Sequence, residues 1–160
     1  MCQSLCLYSA TVRPEWLDVN DHMNVAYYAL VFDQAAEAFM AHLSIDNDYI
    51  ASREASWVAL ESHTTFGREL RLDDPLRVTA QVLDADAKRI HLFQTLLHAG
   101  EGQQAATNEL MIMHLDLRRR RASPFPDSVA KRLQSMASDH RELPRPPEQG
   151  RVIGICHASR

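Results

Sequence analysis

One apolar stripe governs what this chain can become. Tyr28, Phe32, Ala35, Phe39 and Leu43 recur at steps of three and four, which places them on one face of a helix over residues 24–43, about five turns long. Everything after a polar break at residues 44–54 reads instead with the period and composition of strands: residues 56–72, 76–83, 89–98 and 103–117. Asp73-Asp74-Pro75, residues 84–88 and Ala99-Gly100-Glu101-Gly102 are the turn-forming breaks between them. Residues 5–12 supply a first strand, stopped at Pro14. One stripe needs one cover, so the expectation is an α+β fold: a long central helix wrapped by a five-stranded, twisted antiparallel sheet, successive strands pairing across the short breaks.

The 160 residues make one domain, 1–160, with a core over about 5–125. After the Pro-rich stretch at 123–127, Asp127 or Ser128 can cap a short helix over residues 129–136, and residues 143–149 look like an extended tail. A net charge of −4 gives no overall basic field for nucleic acid. Arg118 to Arg121 form a local run, but no stacking aromatics are interleaved, and a solvated strand end is the simpler reading. Cys2, Cys6 and Cys156 form no CxxC pair and have no His at ligand spacing, so neither a disulfide framework nor a zinc site is indicated, and reduced thiols in cytoplasm are expected. No apolar run reaches the roughly 18 residues of a membrane span, so no membrane association is expected.

The chemistry concentrates where a loop meets the long helix: Trp16-Leu17-Asp18-Val19-Asn20-Asp21-His22-Met23-Asn24. Unpaired backbone N–H groups at a helix N-terminus can stabilise a developing oxyanion. Asp18, His22 and Asn24 are the candidate catalytic groups. Each also has a plain structural use: Asp18 as a turn residue, Asn24 as a helix cap, His22 as a loop support.

Asp18-x-Asn20-Asp21-His22-Met23-Asn24, the following Tyr28 and the order strand, helix, four strands resemble the hotdog-fold acyl-CoA thioesterases of the 4-hydroxybenzoyl-CoA thioesterase type. The family loop commonly reads Asp-x-x-Gly-His-Val-Asn-Asn, with a Tyr and a later acidic residue on the helix; Asp18, His22, Asn24, Tyr28 and Asp33 fall on those positions. Asp21 stands where Gly is usual and Val25 where a second Asn is frequent. Glu61-Ser62-His63, Phe66-x-Arg68-Glu69-Leu70, Lys88 to His91, Asn108 to Asp116 and Pro124-Phe125-Pro126 look like the thioesterases associated with or fused to carnitine dehydrogenase, which are assigned to betainyl-CoA hydrolysis.

The resemblance implies hydrolysis of a small acyl-CoA by Asp18, as nucleophile or general base, without metal or cofactor. It implies polarisation of the thioester carbonyl by backbone N–H groups around Asn24, Val25 and Ala26, and assembly as a homodimer or dimer of dimers. Glu61 or His63 of a neighbouring subunit could complete such a site. Trp16, Tyr27, Trp57 and Phe66, with Tyr28, offer ring faces for a trimethylammonium group, each worth ~0.5 to 2 kcal/mol. Two other activities compete: a hotdog hydratase or dehydratase centred on His22, and a non-catalytic acyl-CoA-binding protein.

Overall fold

The computed structural model describes residues 4–155. Cys2 and Cys156 lie outside the described residues; Cys6 is an exposed free thiol. Strand β1 (Leu5–Thr11) leads through a 3-10 turn at Pro14–Trp16 to helix α1 (Val25–His42). A short helix α2 (Asn47–Arg53) follows, then β2 (Ala55–Phe66), β3 (Pro75–Ala85), β4 (Arg89–His98), β5 (Gln104–Asp116), the two-residue β6 (Arg121–Ala122) and α3 (Asp127–His140).

The five long strands form one antiparallel sheet in the order β1-β3-β4-β5-β2, with β6 paired to β5. It is the hotdog arrangement: the sheet curls around α1, and every residue of the stripe from Tyr28 to Leu43 is buried. The N-terminal half of α1 packs with Val12, Trp16, Met23, Leu70, Leu76 and Val78. Its C-terminal half packs with Val82, Ile90, Leu92, Ile112 and the α3 residues Val129, Leu133 and Ala137. Burying one such Phe or Leu contributes about 1.5–3 kcal/mol.

A polar chain crosses this apolar interior. Ser62 and Thr64 hydroxyls donate to Asn108 Oδ1 (2.7 and 3.2 Å), Asn108 Nδ2 donates to Gln94 Oε1 (2.9 Å), and Gln94 Nε2 donates to the Phe32 carbonyl of α1 (2.9 Å). Gln94 and Asn108 are buried, and mutual hydrogen bonding removes the desolvation penalty each would carry alone.

The structure corrects the expectations from sequence in four places. Residues 44–54 are not a plain break: Asp46 Oδ1 caps α2 by accepting from the Tyr49 N–H (2.9 Å). No residue of this seven-residue helix is buried, so it shows no apolar stripe, and the Asp cap is its only sequence signal. The strand expected over 56–72 ends at Phe66, where the Gly67 and Arg68 N–H groups both donate to the Ala105 carbonyl (2.9 and 3.0 Å). Residues 67–74 then cross to the far side of the sheet, where β3 lies between β1 and β4, so β2 and β3 are not neighbours despite the short link. The arginine run turns the chain instead of alternating along a strand: Arg120 is left-handed (φ 49°), Arg118 pairs with Glu54, and the Arg119 N–H donates to Asp116 (2.9 Å). Finally, α3 runs the full Asp127–His140, longer than expected.

Candidate active site at the mouth of helix α1

Leu17 and Met23 form an isolated antiparallel bridge, and the five residues between them make a tight loop. The Asp18 N–H donates to the His22 carbonyl (2.8 Å) and the Asp21 N–H to the Asp18 carbonyl (3.1 Å). Closing a loop this short requires a left-handed residue, and Asp21 supplies it at φ 58°. The position where the family favours glycine is thus a left-handed one, occupied by a residue type that tolerates it at a cost of about 1–2 kcal/mol.

Asp18 is half-buried, and one oxygen serves the turn. Oδ1 accepts from the Asn20 N–H (2.8 Å) and the His22 N–H (3.4 Å). The Asn20 N–H chiefly, and the His22 N–H after it, hold the carboxyl below the ordinary aspartate range, against an opposing effect of partial burial. Both backbone bonds fall on Oδ1 and leave Oδ2 out, and the Asn20 side chain adds to the lowering. A structural and a chemical use therefore coexist on one side chain.

Asn24 caps α1: its Oδ1 accepts from the Ala26 N–H (3.0 Å), and its own N–H donates to the Trp16 carbonyl (2.8 Å). Of the three N–H groups expected to face a carbonyl, those of Asn24 and Ala26 are therefore engaged. The Val25 N–H has no acceptor among the described residues. Val25 itself is 61% exposed, so its amide stands at the open end of the helix dipole.

His22 is held from across the chain. Its Nε2 lies 3.1 Å from Glu69 Oε2, and the other Glu69 oxygen accepts from Arg71 (2.8 Å). The Arg71 guanidinium beside Glu69 keeps its carboxyl below the ordinary glutamate range; partial burial opposes this and His22 assists. The backbone bond from the Met23 N–H to the Leu70 carbonyl (2.7 Å) brings crossover and loop together. In the sequence Glu69 belongs only to a diffuse pattern and does not stand out as a partner of His22, because strand alternation carries no information about an irregular crossover.

The remaining candidates divide. Tyr28 is buried beneath the mouth, its OH donating to the Arg68 carbonyl (3.4 Å) and its ring meeting Phe66 edge-to-face at 5.2 Å. Phe66 stays 54% exposed. Trp16 is core rather than an open platform: it is 4% exposed, stacked on Tyr27 at 5.7 Å, with the Arg13 guanidinium over its ring. Trp57 lies away from the junction, lining a groove of about 900 Å³ with Asp33, Glu37, Asp46 and Tyr8. Glu61 and His63 alternate with Ser62 and Thr64, which face α1, so both lie on the outer face of the sheet with His91 and Glu109. Within one protomer the structure does not bring them to Asp18. Among the described residues no cluster of His, Cys, Asp and Glu has metal-binding geometry, and no helix is long and apolar enough to cross a membrane.

A betainyl-CoA thioesterase of Pseudomonas aeruginosa is 39% identical over 155 residues, covering 97% of this chain and 98% of that protein. An L-carnitine dehydrogenase/betainyl-CoA thioesterase of Rhizobium meliloti is 31% identical over 94% of this chain, which matches only 30% of that longer protein. A Staphylococcus aureus protein solved in complex with CoA superposes with a TM-score of 0.88 at 30% identity, covering 96% of this chain and 97% of the other. The thioesterase-like superfamily model matches residues 12–133, and the chain belongs to that family.

Proposed function

We propose that the protein hydrolyses a short acyl-CoA thioester, betainyl-CoA foremost, to the free acid and CoA, with Asp18 as its catalytic carboxylate. The observation that carries this reading is the pairing, on one five-residue loop and the adjoining helix start, of a half-free carboxylate with an unpartnered N–H at Val25. The N–H and the helix dipole suit the oxyanion of a tetrahedral intermediate. A carboxyl held below its ordinary range is a poor general base at neutral pH, which favours Asp18 as nucleophile. Oδ2 attacks the thioester carbon, the C–S bond breaks and CoA leaves as thiolate. Water then opens the acyl-aspartyl anhydride and restores the carboxylate. The scheme uses no metal and no cofactor beyond the CoA of the substrate.

Betainyl specificity draws on the activity named for the relatives and on ring faces at the mouth. One methylene separates the quaternary nitrogen from the reacting carbonyl, so its partners must stand at the junction. Tyr27 and Phe66 qualify there; Trp57 does not. A second copy completes the assembly in this reading: β2 is a sheet edge with Val58 39% and Leu60 52% exposed, and edge-to-edge pairing would satisfy its open N–H and C=O groups. The exposed Cys6 thiol fits a reducing cytoplasm.

The test is thiol release from a panel of acyl-CoAs by the wild type and by Asp18→Asn. Betainyl-CoA should be turned over better than acetyl-CoA, and the variant should lose at least ~100-fold in kcat/KM with folding intact. Near-wild-type turnover by Asp18→Asn sinks the mechanism. Equal rates on the two substrates remove betainyl specificity and leave the hydrolase.

A further inference from the structure

The His22–Glu69 pair carries more than loop support. Glu69 reaches the mouth of α1 from the crossover, with one carboxylate oxygen tied to Arg71 and the other turned to His22 Nε2 at 3.1 Å. A carboxylate only accepts, so the His22 nitrogen that faces it is the protonated one, and Nδ1 keeps the free lone pair. The His22 backbone N–H is meanwhile bonded to Asp18 Oδ1. Ring and nucleophile are therefore anchored to the same short loop, while tautomer and orientation are set from outside it.

We propose that Glu69 is a positioning residue that holds the His22 imidazole so that Nδ1 accepts the proton of the water that opens acyl-Asp18. This rests on the hydrolase reading above. In the second half-reaction water adds to the anhydride carbonyl and its proton passes to Nδ1. The anhydride C–O bond breaks to return the Asp18 carboxylate and the free acid, and His22 hands the proton to solvent, which has already protonated the CoA thiolate released in the first half-reaction. The charged groups that face the ring are Asp18 on its own loop and Glu69 on the crossover, and Arg71 and Arg68 act on Glu69. Arg68 is itself engaged by Glu101 at 2.5 Å, which leaves Arg71 as the cation that fixes Glu69.

Rapid-mixing measurement of thiol release from betainyl-CoA tests this with the full-length chain. Glu69→Gln should give a burst of about one thiol per site followed by steady-state turnover ~10 to 100 times slower than wild type, with intact-protein mass showing an acyl adduct. Glu69→Asp should recover part of the loss. His22→Ala should show the same burst, and adding Glu69→Gln to it should change the steady state less than about two-fold, because both variants remove one function. Equal losses from Glu69→Gln in the wild-type and His22→Ala backgrounds, or a slowed first turnover with no burst, overturn the assignment. Absence of thiol from the wild type on any acyl-CoA would instead overturn the hydrolase reading.

Discussion

Two histidine–glutamate pairs of nearly the same chemistry occupy opposite sides of this sheet. His91 Nε2 lies 2.7 Å from Glu109 Oε1 on the outer face; His22 Nε2 lies 3.1 Å from Glu69 Oε2 at the mouth of α1. The outer pair is set by strand register, His91 opposite Met111 and Glu109 opposite Phe93, a diagonal that β4 and β5 impose. Its spare oxygen accepts the Gly150 N–H at 2.6 Å, so this carboxylate fastens the C-terminal segment across the sheet. The inner pair joins two irregular segments, and its spare oxygen is braced by Arg71. A histidine–carboxylate contact has no chemical meaning by itself; under the proposal above, the one next to Asp18 and the start of α1 serves turnover and the one beneath a strap serves the fold.

The sharpest way to break this contrast is to remove each imidazole. His22→Ala should lower steady-state turnover about 100-fold and move Tm only slightly, since the ring is partly exposed. His91→Ala should leave turnover close to wild type, and a parallel loss there would erase the distinction. A smaller effect is expected from Glu109→Gln, which weakens two charge-assisted bonds: a stability loss of about 1–3 kcal/mol in denaturant unfolding and faster proteolysis after Glu142, at unchanged kcat.

The third and smallest effect comes from a histidine with no carboxylate at its ring. His140 is buried and its Nδ1 accepts the Val82 N–H at 2.8 Å; burial pulls it below the ordinary imidazole range, with Asp139 opposing. The unfolded chain therefore takes up this proton first as pH falls. The stabilisation is complete above the ordinary histidine range and is lost as pH drops through it toward the depressed folded value. Thermal unfolding at about pH 7.5 and about pH 5.5, on either side of the ordinary histidine range, should show a steeper fall in Tm for the wild type than for His140→Gln.

Residues that act through local periodicity or local turns are legible in the amino-acid sequence itself. The α1 stripe, the Asn24 cap and the alternation of Glu61 and His63 against Ser62 and Thr64 all follow from spacing within a few positions, whereas Asp21 stands out only against the glycine of the family the chain resembles. What the sequence hides depends on contacts between distant segments. Glu69 acquires its partner because residues 67–74 must pass from the edge strand β2 to β3 on the far side of the sheet, whereas periodicity alone runs a strand through those positions. Trp16, Trp57 and Phe66 look alike as aromatics; burial at one, a distant groove at another and exposure at the third separate them. The two engaged amides of Asn24 and Ala26 are told from the free one at Val25 only by the capping geometry.

The crossover at residues 67–74 has a consequence for altering this protein. It is the tie between the edge strand β2 and the inner strand β3 and also one wall of the mouth, with Leu70 buried in the core while Arg68, Glu69 and Arg71 face outward. Length and the Leu70 side chain belong to the scaffold, Glu69 and its Arg71 brace belong to the His22 contact, and Arg68 is the position open to variation. A library that randomises residue 68 at fixed length, with Glu69 and Arg71 kept, would sample new acyl preferences without disturbing strand order, whereas a one-residue insertion there would shift the site and the sheet together.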